Sequence, residues 1–342
     1  EETEEMYLQG VSTGLPEELQ YAFLRTVPGL ENVVITRPAY AIEYDFFPPT
    51  QLKATLETKK IKGLFFAGQV NGTTGYEEAA AQGLIAGINA ALLCREEPPF
   101  ILERTEAYIG VMIDDLITKE LTEPYRMFTS RCEYRLLLRH DNADLRLTEK
   151  GYRLGLISRE RYELFQEKKR RLEEEKQKLR NIRLFPSQQV NDALSGIGSA
   201  PLARPQTLEE LLKRPEVGYG DLARIVGEEG NFTPAEEREI ISEVETQIKY
   251  EGYIAKQENS VKQLRRLESK VIPPDFSYDG LANLSTEASQ KLKAIRPRTL
   301  GQASRIDGVT PADISFLALY LEKRRRSGSA EKHLQTEPQG GK

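Results

Sequence analysis

The stretch "GLFFAGQVNGTTGYEEAAAQG", residues 63–83, constrains this chain more than any other. Leu64-Phe65-Phe66-Ala67 is a short apolar run that predicts a buried strand. Gly68, Gly72 and Gly75 then let the backbone turn tightly and approach a ligand without Cβ clashes. Thr74 is placed to cap the helix that follows, with Glu77 closing a capping box. The free N–H groups and positive dipole end of such a helix favour an anionic or electron-rich ligand group. Behind the turn, Ala79, Gly83, Gly87 and Ala91 repeat every fourth residue, a small face that lets the helix lie close to a sheet or a cofactor. The spacing is not the Gly-x-Gly-x-x-Gly fingerprint, and the pattern alone leaves two readings open: a ligand cradle, or a structural crossover whose glycines serve packing.

A chain of 342 residues has room for roughly two domains. The first 95 residues carry β-branched and aromatic runs, "NVVITRPAYAIEYDFF" and "GLFFAG", which predict strands in an α/β setting. "REEPPF" at 95–100 ends that texture, and its prolines cannot continue a helix. From 96 to 325 helix signals accumulate. Ser130 with Glu133, Thr207 with Glu210, Thr233 with Glu236 and Ser260 with Gln263 match the capping box. Pro234 and Pro311 each follow a Thr, where a first helical turn tolerates proline. "SRERYELFQEKKRRLEEEKQKLRN" reads as a solvated helix with a narrow buried stripe, supported by Glu167 to Arg171 and Glu174 to Lys178. A further helix is expected from 233 to about 258, with Ile241, Val244 and Ile248 on one face and a break near Asn259-Ser260. The tail 326–342 has nothing apolar to bury and is expected to be disordered. The start at Glu1, without Met, suggests that further chain lies upstream.

Hydrophobic residues make up 39% and charged residues 30%, as in soluble globular proteins. No apolar run approaches the ~20 residues of a membrane-spanning helix. Cys94 and Cys132 are too few for a disulfide framework, which points to a reducing, cytoplasmic setting. Acidic residues outnumber basic ones, 53 to 48, so any nucleic-acid binding must come from local patches. His140 and His333 have no companions at zinc-ligand spacing, and no metal is expected.

Such patches exist. Arg126, Arg131, Arg135 and Arg139 face the single acid Glu133, interleaved with Tyr125, Phe128 and Tyr134. A helix capped at Ser130 would line Arg131, Arg135 and Arg139 along one side. Cations with aromatics suit a phosphate backbone and unpaired bases; a solvated face laced with ion pairs is the competing reading. Cys132 lies inside this segment, where positive charge would lower its pKa, though a plain small helix residue is the simpler reading. A second cluster, Lys291, Lys293, Arg296, Arg298 and Arg305, flanks "LGQASRIDGVTPADIS". That stretch hints at a helix-turn-helix, but its Ala-to-Gly spacing is one residue too long for a DNA reader, and a compact module touching RNA or a partner fits better. Lys249, Tyr250, Tyr253 and Lys256 either extend that surface or pack on neighbouring helices.

Several long stretches resemble one family. "RPAYAIEYDFFPPTQLKATLETK" (37–59), the 63–83 stretch, "EPYRMFTSRCEYRLLLRHDNADLRLTEKG" (123–151), "YEGYIAKQ" (250–257) and "LGQASRIDGVTPADIS" (300–315) are similar, in collinear order, to the tRNA uridine 5-carboxymethylaminomethyl modification enzyme family, MnmG/GidA. The resemblance implies the carboxyl-terminal piece of a glutathione-reductase-like FAD domain, α/β, over 1–95, followed by a helical domain that binds tRNA and a partner. It implies that Gln69, Asn71, Gly72, Thr73, Thr74 and Gly75 line the flavin. The other wall, with the glycine-rich phosphate loop, would lie upstream of residue 1. It further implies tRNA contacts by Arg126, Arg131, Arg135, Arg139, Lys249, Tyr253, Lys256, Arg296, Arg298 and Arg305. The family works as homodimers with a GTPase (MnmE), using FAD, NADH and a folate-borne one-carbon unit to modify C5 of uridine 34. No residue maps onto a catalytic acid, base or nucleophile. The competing expectations are a non-catalytic module for tRNA or the GTPase, and a duplex-DNA-binding helical protein.

Overall fold

The computed structural model describes residues 5–227, 237–281 and 283–334. Helices dominate it, in the order Glu17–Leu24, Tyr76–Cys94, Tyr108–Thr118, Ala143–Arg153, Arg159–Asn181, Gln188–Gly196, Leu208–Leu212, Tyr219–Val226, Ser242–Lys249, Glu251–Glu268, Thr286–Ile295, Leu300–Ala303 and Pro311–Leu334. Among the described residues the one sheet is an antiparallel pair, Arg183–Leu184 with Gln206–Thr207.

Neither strand expected in the first 95 residues forms. Phe65 makes a single antiparallel bridge to Glu57, and Leu64 is exposed. Residues 32–47 have no ladder, and Val34, Tyr40, Ile42 and Tyr44 face outward. Alternating apolar residues become a strand only when a neighbouring strand takes up their backbone groups, and none does so here. Within 5–47 only Gln20 and Leu24 are buried.

Three cores follow. The first gathers Leu52, Leu56, Ile85, Met112, Leu116 and Tyr125, drawing on both sides of the 95–100 segment. Its centre is the helix Tyr108–Thr118, buried on every side from Gly110 onward. Gly110 is required sterically: a Cβ there would stand 2.3 Å from the Glu103 carbonyl oxygen. A second core, with Leu194, Leu211, Leu212, Leu222 and Val244, sits among the helices from Arg159 to Lys249. A third, with Ile272, Phe276, Leu292, Leu300 and Leu317, closes the carboxyl-terminal bundle.

The Thr207–Glu210 capping box forms in both directions, at 3.1 and 2.8 Å. In Arg159–Asn181 the buried stripe is Phe165, Leu172, Glu175 and Leu179, and Arg170 bridges Glu167 and Glu174 on the outside. Ile241, Val244 and Ile248 are buried together as expected. The break falls at Tyr250, not at Asn259-Ser260: the next helix runs unbroken from Glu251 to Glu268, and Ser260 Oγ bonds back to the Lys256 carbonyl at 3.3 Å instead of capping. Thr233, Pro234 and Glu236 lie outside the described residues. Pro311 opens the final helix beside Thr310, which trades hydrogen bonds with Asp313. That helix continues into 326–334, where composition suggested disorder. Residues 335–342 lie outside the described ones. No helix among the described residues is long and apolar enough to cross a membrane, and none of their His, Cys, Asp and Glu side chains cluster as a metal site would need.

Candidate functional site

The glycine turn is real, but its glycines do different work. Gly68 (φ 82°) and Gly72 (φ 73°) adopt left-handed backbone at the two ends of a single 3₁₀ turn. Gly75 is ordinary in backbone (φ −84°) and leaves room for Glu78, whose Oε2 would lie 1.7 Å from a Cβ there and would have to shift. The helix cap is therefore one residue later than expected: Gly75 is the N-cap, without a side-chain cap bond, and Glu78 rather than Glu77 folds back toward it. Thr74 stays exposed, as does Gln69. A buried carboxylate already sits at this helix N-terminus, so the dipole end is not open to a ligand anion.

Gln82 holds the turn together. Its Oε1 accepts from Gly68 N (3.1 Å) and Asn71 Nδ2 (2.8 Å), and its Nε2 donates to Thr73 Oγ1 (3.0 Å) and the Glu78 carbonyl (3.2 Å). Thr73 Oγ1 donates onward to the Gly68 carbonyl at 2.9 Å. Asn71, Thr73 and Gln82 are all essentially without solvent exposure. Two acceptors, Asn71 Oδ1 and Glu78 Oε2, are buried with no partner, a cost of about 1–3 kcal/mol each unless something donates to them. On the helix behind, Ile85, Ala86, Asn89 and Leu92 face the core, while Gly83, Gly87 and Ala91 face outward with nothing within 4 Å of a Cβ at either glycine.

The cationic segment is strapped to this turn. Tyr125 N donates to the Gly72 carbonyl at 2.8 Å, and Met127 N donates to Glu78 Oε1 at 2.9 Å. Arg126 lies between these bonds, more than half exposed, its Nε 3.9 Å from Glu78 Oε1. The expected helix from Ser130 is absent; a 3₁₀ turn, Thr129–Arg131, takes its place, so Arg131, Arg135 and Arg139 do not share one helical face. Each cation finds its own fate. Arg131 stacks on the Tyr125 ring at 4.6 Å and bonds the Arg126 carbonyl at 2.9 Å. Arg135 is exposed. Arg139 is held inward by Asp141 and the buried Glu243.

Beneath the strap lies a charge network that sequence reasoning missed. Arg104, 4% exposed at its side chain, donates to Asp115 Oδ1 (2.7 Å), Asp114 Oδ2 (3.3 Å) and Glu133 Oε1 (2.7 Å). Burial works against its charge, yet Asp115, Asp114 and Glu133 together hold its pKa above the usual guanidinium value. Tyr125 Oη donates to Asp115 Oδ2 at 3.0 Å; burial, then Asp115, push this phenol far above its ordinary range. Arg305 grips Asp114 through Nε (2.6 Å) and Nη2 (2.8 Å) and pairs with Glu268, which ties the carboxyl-terminal bundle to the same helix. Arg305 is thus an internal clamp and not a free RNA contact. Cys132 is 4% exposed, and burial pushes its thiol up, the opposite of an activated nucleophile. The signal for this network was the pair Asp114-Asp115 in the otherwise apolar "YIGVMIDDLIT": two acids in a buried helix require a partner.

The remaining predicted residues lie elsewhere. Lys249 pairs with Glu245 (2.8 Å) and the Pro215 carbonyl (3.2 Å), while Tyr253 and Lys256 are exposed, the ammonium 5.9 Å from the ring. Arg296 and Arg298 are exposed beside the carboxyl-terminal bundle.

Family models match along the chain in this order: Glucose inhibited division protein A over residues 1–98, the tRNA modifying enzyme MnmG/GidA C-terminal helical domain over 159–258, and the MnmG/GidA C-terminal helical bundle over 260–342. The tRNA uridine 5-carboxymethylaminomethyl modification enzyme MnmG of Caldicellulosiruptor saccharolyticus is 56% identical over 95% of this chain and 51% of its own length. The same enzyme of Listeria innocua is 56% identical over 94% and 50%. Aquifex aeolicus GidA, in its form II crystal, superposes with a TM-score of 0.77 at 50% identity, covering 94% of this chain and 50% of that one. The chain belongs to the MnmG/GidA family. It spans about half the length of the curated relatives it matches. The GidA model ends at residue 98 and two helical models follow, the two-part architecture that the sequence motifs implied.

Proposed function

We propose that this chain is the carboxyl-terminal part of an FAD-dependent tRNA-modifying enzyme of the cytoplasm. In this reading the whole enzyme is a homodimer that works with the GTPase MnmE and takes its reducing equivalents from NADH. It adds a carboxymethylaminomethyl group to C5 of wobble uridine 34. The observation that supports this best is the strap: the bonds from Tyr125 and Met127 to Gly72 and Glu78 hold an exposed arginine at the edge of the glycine turn. Cofactor turn and cationic edge are thereby neighbours, although about fifty residues apart in sequence.

The residues present fit one wall of a flavin site. Exposed Gln69 and Thr74 offer polar side chains, and Asn71 and Thr73 brace the turn from inside through Gln82. Asn71 Oδ1 lacks a donor that a bound group or water could supply. The helix N-terminus, filled by Glu78, is unsuited to the cofactor's phosphates, which need another wall. A bound flavin supplies the redox chemistry; this chain's residues orient it and hold the turn rigid. Arg126 and Arg135, with Tyr253 and Lys256 on a second face, attract the RNA backbone and stack on its bases. The occupied N-terminus favours a second reading for the chain alone, a tRNA- or GTPase-binding module that retains no cofactor.

The test is a salt titration of binding to unmodified tRNA, with a flavin absorbance scan of the same preparation. Arg126→Glu with Arg135→Glu should weaken binding strongly and flatten the salt slope by roughly 0.7–0.9 per lost phosphate contact, with helix content intact. Unchanged affinity would sink the RNA role of this edge. A yellow preparation would argue for the cofactor wall, and a colourless one that still binds tRNA for the module.

A further inference from the structure

A cavity of about 750 Å³ opens where residues 52–59 and 89–99 meet the carboxyl-terminal bundle. It falls within the range of about 300–1,000 Å³ typical of small-molecule sites. Its surface is mainly apolar, built from side chains such as Leu52, Phe65, Leu93, Ile117 and Ile272.

Most of its polar lining is already spent. Lys53 and Gly63 N answer Glu57, at 2.6 and 2.8 Å. Lys59 Nζ donates to the Thr50 and Ile295 carbonyls at 2.7 and 2.6 Å, closing the junction. Asn89 bonds both backbone groups of Phe100, and Thr118 bonds the Asp114 carbonyl.

Arg296 and Arg298 differ. Both line the cavity, both are exposed, and among the described residues neither makes a salt bridge. Arg296 gives one bond from its guanidinium, to the Phe276 carbonyl at 2.9 Å. Their backbones are pinned: Arg296 N caps the helix at the Leu292 carbonyl (2.9 Å), Arg298 N donates to Gln302 Oε1 (2.9 Å), and the Arg298 carbonyl accepts from Ile272 N (2.7 Å). Arg296 is also left-handed, φ 54° and ψ 61°, directly before Pro297. A non-glycine residue held in that region costs of order 1–3 kcal/mol, and such strain persists where the surroundings impose it, often at ligand clamps. The charge count of the lining is Lys53, Lys59, Arg296 and Arg298 against Glu57 and Glu97, a surplus of two positive charges.

We propose that this cavity binds a small amphipathic organic anion, with its apolar body against Phe65, Leu93 and Val271 and its acidic group on Arg296 and Arg298. The site is separate from the glycine turn and does not depend on the function proposed above. Guanidiniums on pinned backbone, outside any salt bridge among the described residues, form charge-assisted bonds to an oxyanion.

The test uses the full chain and two fluorescent probes of the same shape, anilinonaphthalene sulfonate and its uncharged analogue N-phenylnaphthylamine. Arg296→Gln with Arg298→Gln, both at exposed positions, should weaken the sulfonate about tenfold or more while leaving the neutral probe unchanged. Ala54→Leu, which fills the cavity, should weaken both, with unchanged helix content as the control for folding. Octanoate should displace the sulfonate. Equal binding of the sulfonate by parent and double arginine variant would overturn the proposal. So would displacement by inorganic phosphate as effective as by octanoate, or displacement by tRNA but not octanoate, which would hand these arginines to the RNA.

Discussion

Replacing Arg104 with Met removes the cation that three carboxylates share. Asp115 has no solvent exposure, and after the change it keeps only the Tyr125 hydroxyl, Lys119 at 3.4 Å and Arg131 at 3.9 Å. Breaking a buried pair on one side costs about 3–5 kcal/mol, because the surviving charge has no water to return to. The Glu133 contact adds under about 1 kcal/mol, since that carboxylate is half exposed and water replaces the guanidinium. Lys119 can swing closer, so the expected loss is toward the low end, about 3 kcal/mol. By contrast Arg153→Met, at a pair whose arginine is 76% exposed, should change stability by less than about 0.5 kcal/mol. Urea unfolding followed by far-UV circular dichroism measures both, and Asp115→Asn completes a double-mutant cycle. Coupling of about 1–3 kcal/mol between Arg104 and Asp115 is expected. A loss below about 1 kcal/mol with an unchanged denaturant slope, or strictly additive single changes, would refute the idea that this network clamps the strap.

Two glycines should respond in opposite directions. Gly110→Ala places a Cβ 2.3 Å from a backbone oxygen that cannot rotate away, and should lower stability by about 1–3 kcal/mol or more. Gly87→Ala, in an open helical position, should raise it by about 0.5–1 kcal/mol, and thermal unfolding of the two variants checks the contrast. Asp313 gives a pH signature. Burial alone would raise its carboxyl, but hydrogen bonds from Thr310 and Ser285 hold it below the ordinary Asp value. Its stabilisation is therefore complete above the unfolded pKa and is lost as pH falls through the lower folded one. Asp313→Asn should cost about 1 kcal/mol at neutral pH, and its deficit against the parent should shrink steadily in unfolding curves taken below about pH 4. A deficit that is constant with pH would mean the carboxylate's charge plays no part.

Local rules read the helical half well. Thr207 with Glu210 caps as its spacing requires, and the heptad-spaced Phe165, Leu172 and Leu179 form the buried stripe of a helix otherwise covered in charge. Those features depend on neighbours within one or two turns, which a sequence displays directly. The strand expectations needed more. Val34, Tyr40, Ile42 and Tyr44 alternate as strand residues do, yet alternation describes a face and says nothing of which chain will pair beside it. The same reason explains Ser130 and Ser260: a hydroxyl and an acid or amide three residues apart permit a cap, but Ser130 leads into a 3₁₀ turn and Ser260 sits mid-helix.

The site was legible in position and not in orientation. Gly68 and Gly72 had to be glycine for their backbone angles, which a glycine-rich turn announces. That Gly75 is glycine to make room for Glu78 depends on a side chain folding back, and that in turn on Met127 N arriving from another segment to meet it. The arginines make the point most sharply. Arg126, Arg131, Arg139 and Arg305 are one residue type, all in cationic clusters, and sequence gives no reason to rank them. The fold separates them by what else needs a cation. Glu243 and Asp114 are enclosed or nearly so, and an enclosed carboxylate without a partner is far costlier than an arginine withdrawn from solvent. Arg139 and Arg305 are therefore taken for the interior. Arg131 is half-claimed by the Tyr125 ring, and Arg126 remains at the rim of the turn, its Nε 3.9 Å from the Glu78 oxygen that a backbone N–H already engages. The cations free to meet a phosphate are those the buried acids did not require, and they can be found only after the acids have been located.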